Sequence, residues 1–379
     1  MAKNEMGETS IINYGKMKVL GSTMEQGKLY SKHPDIDSPY YRDNEPRYTF
    51  IKTCLVGHTK LRIIDLGCNA GQFLFNFVKD DICKKGFGYD YDGEAIDIAR
   101  VLKKKLDYPL YFDKLDLNEF DWGLLPSADV IFFLSTFQYV YTKQTREKSV
   151  QLLQTLAQKS EYLFFELPGN DSVSPIPEAV SLDWQLQLLK DGHWRPESWE
   201  LFDCETGTAR YMIFAKSIIK IIGKSRHLKS GQQAELYLTE DQQFVIKKYQ
   251  KWTNNEHKIL PLLKDEHIIC SDSAYTINNM PVLFLKYEQG KDLILGDVSS
   301  KSTRDQLLYI KQYLKEKRVI HHDINLFNFI ITKTGKVILL DFGWAETPEF
   351  PLNHEIPSTL NDGVFDDETA FNTILGDTI

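Results

Sequence analysis

No run of apolar residues in this 379-residue chain approaches the ~20 needed to span a bilayer; "VIFFL" (130–134) is typical of its uncharged apolar runs. The N-terminus, "MAKNEMGETSIINYGKMKV", has no apolar signal core. Cysteine is scarce: Cys54, Cys68, Cys83, Cys204 and Cys270 are scattered, without CxxC or other metal-ligand spacing. That argues against a disulfide framework or a zinc site and for free buried thiols in a reducing compartment. Excess positive charge is also missing, because the net charge is −8 and the pI about 5.7. No general electrostatic case exists for nucleic acid or an anionic membrane. No repeat or low-complexity segment is evident. The expectation is a soluble cytoplasmic protein of about two domains.

What is present is a change of pattern along the chain. Residues 1–45 are polar and turn-rich and read as an irregular N-terminal arm or cap. From Leu61 strands and helices alternate: "LRIIDLG", "GQFLFNFVKD", "KGFGYDYD", "EAIDIARVLKKKL", "LYFDKLDL", "ADVIFFLS", "TREKSVQLLQTLAQKS" and "EYLFFEL". This alternation predicts an α/β, doubly wound, Rossmann-like domain over 46–216. "SWELFDCETGTARYMIFAKS" reads as a hairpin across "ETGT" forming an antiparallel edge. Beyond Lys216–Gly223 the chain becomes strand-rich, with a helix over "NNEHKILPLL" and another over "RDQLLYIKQYLKEK". This predicts a compact α+β domain over 220–345. Residues 220–263 carry eight Lys/Arg against four Asp/Glu, whereas after Lys336 there is no Lys or Arg and nine Asp/Glu follow. Residues 346–379 read as an acidic tail, either solvated or folded back on a basic lobe.

The first chemical signal is "DLGCNAGQF", a turn between a strand and a helix. Gly67 and Gly71 allow a tight turn and close ligand approach, and the helix N-terminus offers free N–H groups. Asp90 ends the next strand, where an acidic residue can hold ribose hydroxyls. A turn serving only strand–helix packing is the bland alternative. The turn lacks the G-x-G-x-x-G register of NAD sites. It resembles motif I of the class I S-adenosylmethionine-dependent methyltransferases. That resemblance implies a cofactor site built from Asp65, Gly67, Cys68, Asn69 and Gly71, with Asp90 and Tyr91 at the ribose. It also implies Asp116 and Leu117 ("KLDLNEF") at the adenine, and Ser135 at the end of the fourth strand. Many such enzymes carry a histidine shortly after that serine; here the stretch is "STFQYVY". Transfer to an acceptor already ionised would need no such base.

The second signal is "VIHHDINLFNFIITKTGKVILLDFGWAE" (319–346). His321, Asp323, Asn328 and Asp341-Phe342-Gly343 stand at the intervals of the protein-kinase catalytic loop and metal-binding motif. Six specified residues at fixed spacing arise by chance about once in 10⁵ chains of this length, so the signal is strong. The resemblance implies that Asp323 orients the acceptor hydroxyl, while Asn328 and Asp341 hold magnesium. It makes Lys247 ("FVIKKY") the phosphate-pairing lysine and Glu256 its helix partner. Lys248 is the alternative, since strand alternation lets only one of the two face inward. Gly231 is what remains of a glycine-rich loop. "VLFLKYE", with Lys286 and Tyr287, resembles the hinge that receives adenine through backbone groups. The departures are as informative. His322 replaces the arginine that clamps a phosphorylated activation loop, and Asn325 stands where Ser/Thr protein kinases have lysine. Little chain remains for a peptide-gripping lobe. A compact kinase for a sugar, lipid or other small hydroxyl compound is expected, with an inactive pseudokinase as the alternative.

The two signals together resemble the bifunctional kinase–methyltransferases that terminate bacterial polymannose O-antigen chains. The resemblance runs from Gly27 to Gly343 and includes "HPDID", Arg47, "DLGCNAGQF", "VIFFLSTFQYV", "LFFEL", "VIKKY", "NEHKIL" and "DINLFN…LLDFG". It implies ATP, Mg2+ and S-adenosylmethionine as cofactors, with Arg47 near the carboxylate of S-adenosylmethionine. It implies phosphorylation of a terminal hydroxyl on a glycan or small molecule, then methylation of the new phosphate. No nucleic-acid partner is expected, and membrane association would be peripheral and through a partner. A scaffold sensing ATP and S-adenosylmethionine with a dead kinase, and an RNA- or nucleotide-modifying enzyme, are the alternatives; the latter lacks a basic stripe with aromatics. The acceptor's identity and the oligomeric state are not legible in the sequence.

Overall fold

The computed structural model describes residues 45–168, 176–202, 209–231, 233–250, 255–352, 354–357 and 363–376, and two-residue strands at 12–13, 18–19, 22–23 and 36–37. The expected arm, apart from those strands, and the "ETGT" turn lie outside the described residues. The chain divides into two compact units, Met1–Ile221 and Ile222–Ile379.

In the first unit, helix α1 (Glu45–Cys54) precedes β1 (Leu61–Leu66), α2 (Gln72–Lys79), β2 (Cys83–Asp90), α3 (Gly93–Leu106) and β3 (Leu110–Lys114). Then come β4 (Val130–Leu134), the short α4 (Phe137–Tyr141), α5 (Arg146–Lys159), β5 (Tyr162–Glu166), α6 (Leu182–Asp191), β6 (Trp194–Phe202) and β7 (Arg210–Ser217). The strands form one sheet in the order β6-β7-β5-β4-β1-β2-β3. The strands from β3 to β5 are parallel, whereas β7 runs antiparallel to both β5 and β6. The strand order reverses between β4 and β1, and ligands in such sheets bind beyond the carboxyl ends at that reversal. The sequence supports this sheet by burying both faces of its central strands. Val130 and Phe132 of "VIFFL" join the core on one side, while Ile131 and Phe133 join the core on the other. Asp92 and Thr145 cap α3 and α5 by accepting their first free N–H groups.

Helix α7 (Ile218–Lys224) carries the chain into the second unit. There β8 (Arg226–Ser230), β9 (Ala234–Leu238), β10 (Phe244–Tyr249), β11 (Ser271–Ile277) and β12 (Met280–Lys286) form an antiparallel sheet ordered β8-β9-β10-β12-β11. The helix expected over "NNEHKILPLL" is shorter: α8 spans only Glu256–Ile259 and continues as a 3-10 turn at Leu260–Leu262. Pro261 has no N–H to extend an α-helical ladder. A smaller sheet follows, from β13 (Gly290–Asp292), β14 (Phe329–Thr332) and β15 (Val337–Leu339), with helices α9 (Leu295–Val298), α10 (Lys301–Glu316) and α11 (Asp367–Leu375).

The solvated-tail expectation gives way here. Ala370, Phe371, Ile374 and Leu375 of α11 are buried in the same core as Leu307, Ile310 and Leu314 of α10. Apolar residues at helical spacing within the acidic stretch anchor it, and Lys311 pairs with Glu368 at 2.7 Å. The thiols also differ from expectation: Cys68 and Cys83 are buried, but Cys54 is half-buried and Cys270 exposed.

Candidate active sites

In the first unit, the turn after β1 closes against β2. The N–H groups of Gly67 and Cys68 both donate to the Tyr89 carbonyl oxygen, at 2.7 and 3.0 Å. Asp90 accepts the Asn69 N–H at 2.7 Å and the Asp92 N–H at 2.9 Å, one on each oxygen. Burial nevertheless pushes the Asp90 carboxyl above its ordinary value, more than these N–H groups lower it. Gly67 has φ +84°, and a Cβ there would collide with the Thr136 side chain at the end of the neighbouring β4. Glycine is thus required by both conformation and space.

Asp65 is buried, and burial followed by the Asp90 charge pushes its carboxyl up to about 8. Asp65 Oδ2, Asn69 Oδ1 and, beyond β4, Gln138 Oε1 are buried acceptors with no hydrogen-bond partner among the described residues. Buried acceptors without donors are costly, and a bound cationic or N–H-bearing ligand relieves that cost.

The remaining expected residues separate. Cys68 turns its sulfur inward against Gly88, so it can offer a ligand only its backbone. Tyr91 is 67 % exposed, with the Lys114 ammonium 5.4 Å from its ring centre. Leu117 is buried in the core, while the Asp116 carboxylate accepts from the N–H and the side-chain amide of Asn118.

Arg47 and Ser135 meet through a residue to which the sequence reading gave no role. Glu166 ends β5 and is buried. Arg47 Nε lies 2.7 Å from its Oε2, and the Ser135 hydroxyl donates to its Oε1. Arg210 of β7 donates to Ser135 Oγ at 3.0 Å. A carboxylate closing the otherwise apolar strand "YLFFE" was the available signal, since such a charge is buried only when paired. Ser135 has φ +54°, a left-handed conformation that non-glycine residues rarely adopt and that clusters at functional sites.

In the second unit, Lys247 is buried and lies 2.7 Å from Glu256 Oε2 and 2.6 Å from Asp341 Oδ1. Strand alternation selects Lys247, because Lys248 is only half-buried. Burial alone would lower the ammonium's pKa, but the Asp341 and Glu256 charges raise it well above the ordinary lysine value. Glu256 is further fixed by the Tyr249 hydroxyl and by the Phe342 N–H at 3.1 Å. At Asp341, whose side chain is 52 % exposed, the water it does lose acts upward, yet the Lys247 charge pulls the carboxyl below its usual range.

Asp323 is buried. Asn328 donates its side-chain amide to Asp323 Oδ2 and to the Asp323 carbonyl oxygen, both at 2.8 Å, and Asn325 donates to Asp323 Oδ1 at 2.8 Å. Burial raises the Asp323 carboxyl, with Asn328 opposing and Asp341 adding to the rise. Both hydrogen bonds of Asn328 use its nitrogen, and those of Asp341 use Oδ1. Asn328 Oδ1 and Asp341 Oδ2 are left as hard oxygen donors, the type magnesium takes. His321 is packed: its Nδ1 accepts the Asp323 N–H and its Nε2 faces the Leu340 carbonyl oxygen at 3.0 Å.

Two expected nucleotide contacts change character. The Lys286 N–H donates to the Cys270 carbonyl and the Tyr287 N–H to the Gln243 carbonyl, both at 2.8 Å. Those amides are committed within the protein. Gly231 sits at the β8–β9 turn, its N–H donating to the Ala234 carbonyl. Gln233, to which the sequence reading gave no role, follows it. A Cβ on Gly343 would lie 2.7 Å from Gln233 Oε1 and 3.0 Å from Asp341 Oδ1, so Gln233 reaches over the Asp341-Phe342-Gly343 turn.

These two constellations define the class of protein. Residues 58–187 match the family of the Methyltransferase domain, and residues 214–356 match the RIO domain family. The chain is an enzyme that pairs a methyltransferase domain with a RIO kinase domain.

Among solved structures, the chain is similar to that of the bifunctional kinase-methyltransferase WbdD. One structure of WbdD is 17 % identical to this chain with a TM-score of 0.48, covering 86 % of this chain and 82 % of that one. The high-resolution WbdD crystal structure gives 17 % identity and a TM-score of 0.47 over 86 % and 81 %. A SAM-dependent methyltransferase from Aquifex aeolicus is 21 % identical, with a TM-score of 0.34 over 44 % of this chain and 88 % of that one. CBL-interacting protein kinase 21 from Oryza sativa subsp. japonica is 24 % identical over 133 residues, 33 % of this chain. The chain spans about a quarter of that curated relative's length, 25 %. Among the described residues no helix is long and apolar enough to cross a membrane.

Proposed function

We propose that the second unit transfers the terminal phosphoryl group of ATP to a hydroxyl of a glycan end or small molecule, and that the first unit then methylates the new phosphate. The observation that carries the kinase reading is Lys247 held between Glu256 and Asp341. Phosphoryl transfer is mostly positioning and charge neutralisation, and this arrangement presents a fixed cation for phosphates. Asp323, buried and held by two asparagines, orients the acceptor hydroxyl and receives its proton. Asn328 and Asp341 would hold magnesium, which would supply charge neutralisation at the phosphates.

In the first unit Asp65, Gly67, Cys68, Asn69, Gly71, Asp90, Tyr91, Asp116, Leu117 and Ser135 form the proposed site for S-adenosylmethionine, with Arg47 reaching it through Glu166. S-adenosylmethionine supplies an electrophilic methyl on a sulfonium, and its positive charges suit the unpartnered Asp65 and Asn69 oxygens. No carboxylate here stands free as a base for an acceptor: Asp65, raised to about 8, already holds its proton near neutral pH, Asp90 spends both oxygens on N–H groups, and Glu166 is held by Arg47 and Ser135. An acceptor already ionised, such as a phosphate monoester, fits such a site. The reading places the protein in the cytoplasm, where both cofactors are made, with membrane association only through a partner.

Two outcomes test this. Mass spectrometry of glycan, lipid and small-molecule acceptors should show a phosphate added with ATP and a methyl added only when both cofactors are present. Methylation of the unphosphorylated acceptor would exclude the coupled order. Asp65 gives a pH signature. Its carboxyl is raised from 3.8 to about 8 in the fold, so its contribution to stability is full below 3.8 and is lost as pH rises toward about 8. Without cofactor, the melting temperature of wild type minus that of Asp65→Asn should fall steadily across that window. A difference that stays constant from pH 5 to about pH 8 would remove Asp65 as a buried acid.

A further inference from the structure

His322 stands where the sequence reading found the arginine clamp replaced. Its ring lies between two acceptors. Nδ1 is 3.0 Å from the Phe365 carbonyl oxygen, and Nε2 is 2.9 Å from Glu346 Oε1. A carbonyl oxygen cannot donate. Glu346 is ionised: burial acts upward, but the contacts from His322 and the Leu352 N–H hold its carboxyl below the ordinary range. Both ring nitrogens therefore face acceptors, and the ring bridges the two segments that carry them.

The same place carries the backbone of the catalytic loop. Asp367, the first residue of α11, accepts the His321 N–H on one carboxylate oxygen at 2.7 Å and the His322 N–H on the other at 2.9 Å. Ile320 and Glu346 exchange two backbone hydrogen bonds, at 3.0 and 2.8 Å. His322 has φ +62°, a conformation that persists only where surrounding contacts hold it. The next residue is Asp323.

We propose that His322 is a positioning residue for phosphoryl transfer, tying the catalytic loop to Glu346 and α11 and thereby fixing Asp323. The device would hold the loop in place without a phosphorylated activation segment. It rests on the kinase reading above. The charges around it are mixed. Glu346, Asp366, Asp367 and Glu368 line one cleft of about 580 Å³ together with Lys311, Lys315 and Arg318 of α10 and the turn after it. Asp323 adjoins the ring in sequence, and Lys311 is engaged by Glu368. The group in direct contact with Nε2 is a carboxylate, at 2.9 Å.

ATP turnover by the full chain with Mg2+, using water as acceptor, reads this at neutral pH. H322Q should lower kcat by about tenfold to 100-fold, the scale of a small misplacement, and leave the KM for ATP unchanged. Hydrogen exchange gives a readout that does not depend on activity: the His321 and His322 amides should exchange faster in H322Q than in wild type. Wild-type kcat and amide protection in H322Q, or a loss that falls on KM alone, would overturn the proposal. Turnover that persists in D341N would instead overturn the kinase reading itself.

Discussion

Asp341→Asn should lower ATP-dependent phosphoryl transfer by about 10³-fold or more, the scale at which removing fixed charge stabilisation acts on such reactions. The loss should come with little change in stability. Asp341 is 52 % exposed, and Lys247 keeps Glu256 at 2.7 Å, so no buried cation is left unpaired. Asparagine is the better probe than alanine because Asp341 has φ +55°, a left-handed conformation that asparagine tolerates. Its amide keeps the size of the carboxylate but removes the charge that faces Lys247 and would face a metal. Turnover within tenfold of wild type, in protein with an unchanged melting temperature, would remove Asp341 from the site.

Gly67→Ala should abolish binding of S-adenosylmethionine and destabilise the first unit by roughly 3 kcal/mol, the sum of two mechanisms. Alanine at φ +84° costs about 1–2 kcal/mol. Its Cβ also meets Oγ1, Cβ and Cγ2 of Thr136, and forcing such contacts costs about 1–3 kcal/mol. The second cost is separable. Thr136→Ala in the Gly67→Ala background removes Oγ1 and Cγ2 but keeps Cβ, so it should restore part of the steric cost and none of the conformational cost. Calorimetric titration with the cofactor and thermal melts of the single and double variants read both. A single variant that binds as wild type does would show that the turn is packing alone, the bland reading of these glycines.

Both predictions concern residues visible in the sequence, and the reason is local. A Gly-rich turn between a strand and a helix, and a carboxylate-asparagine-carboxylate spacing in one loop and hairpin, are short-range patterns. Chain connectivity alone brings Gly67 to Asn69 and Asp323 to Asn328. Strand–helix alternation likewise reflects which faces are apolar, and "VIFFL" can be satisfied only by burial on both sides. The two-residue period of a strand lets only one of Lys247 and Lys248 face inward, and burial in the structure picks Lys247.

The residues without that warning are those joined through space. Glu166, Arg210 and Gln233 reach their sites from separate strands and a turn, and nothing in their neighbourhoods specifies a partner. The Lys286 and Tyr287 amides resemble a hinge in sequence, yet the register with Cys270 and Gln243 decides where their hydrogens go. The acidic stretch after Lys336 shows the same division. By itself it determined the charge and the absence of basic partners. Only the packed structure decided that Phe371 and Ile374 anchor it beside α10, and that Asp367 and Glu346 close on His321 and His322. Charge and periodicity are properties of the chain. Which carboxylate meets which imidazole is a property of distances that tertiary packing sets.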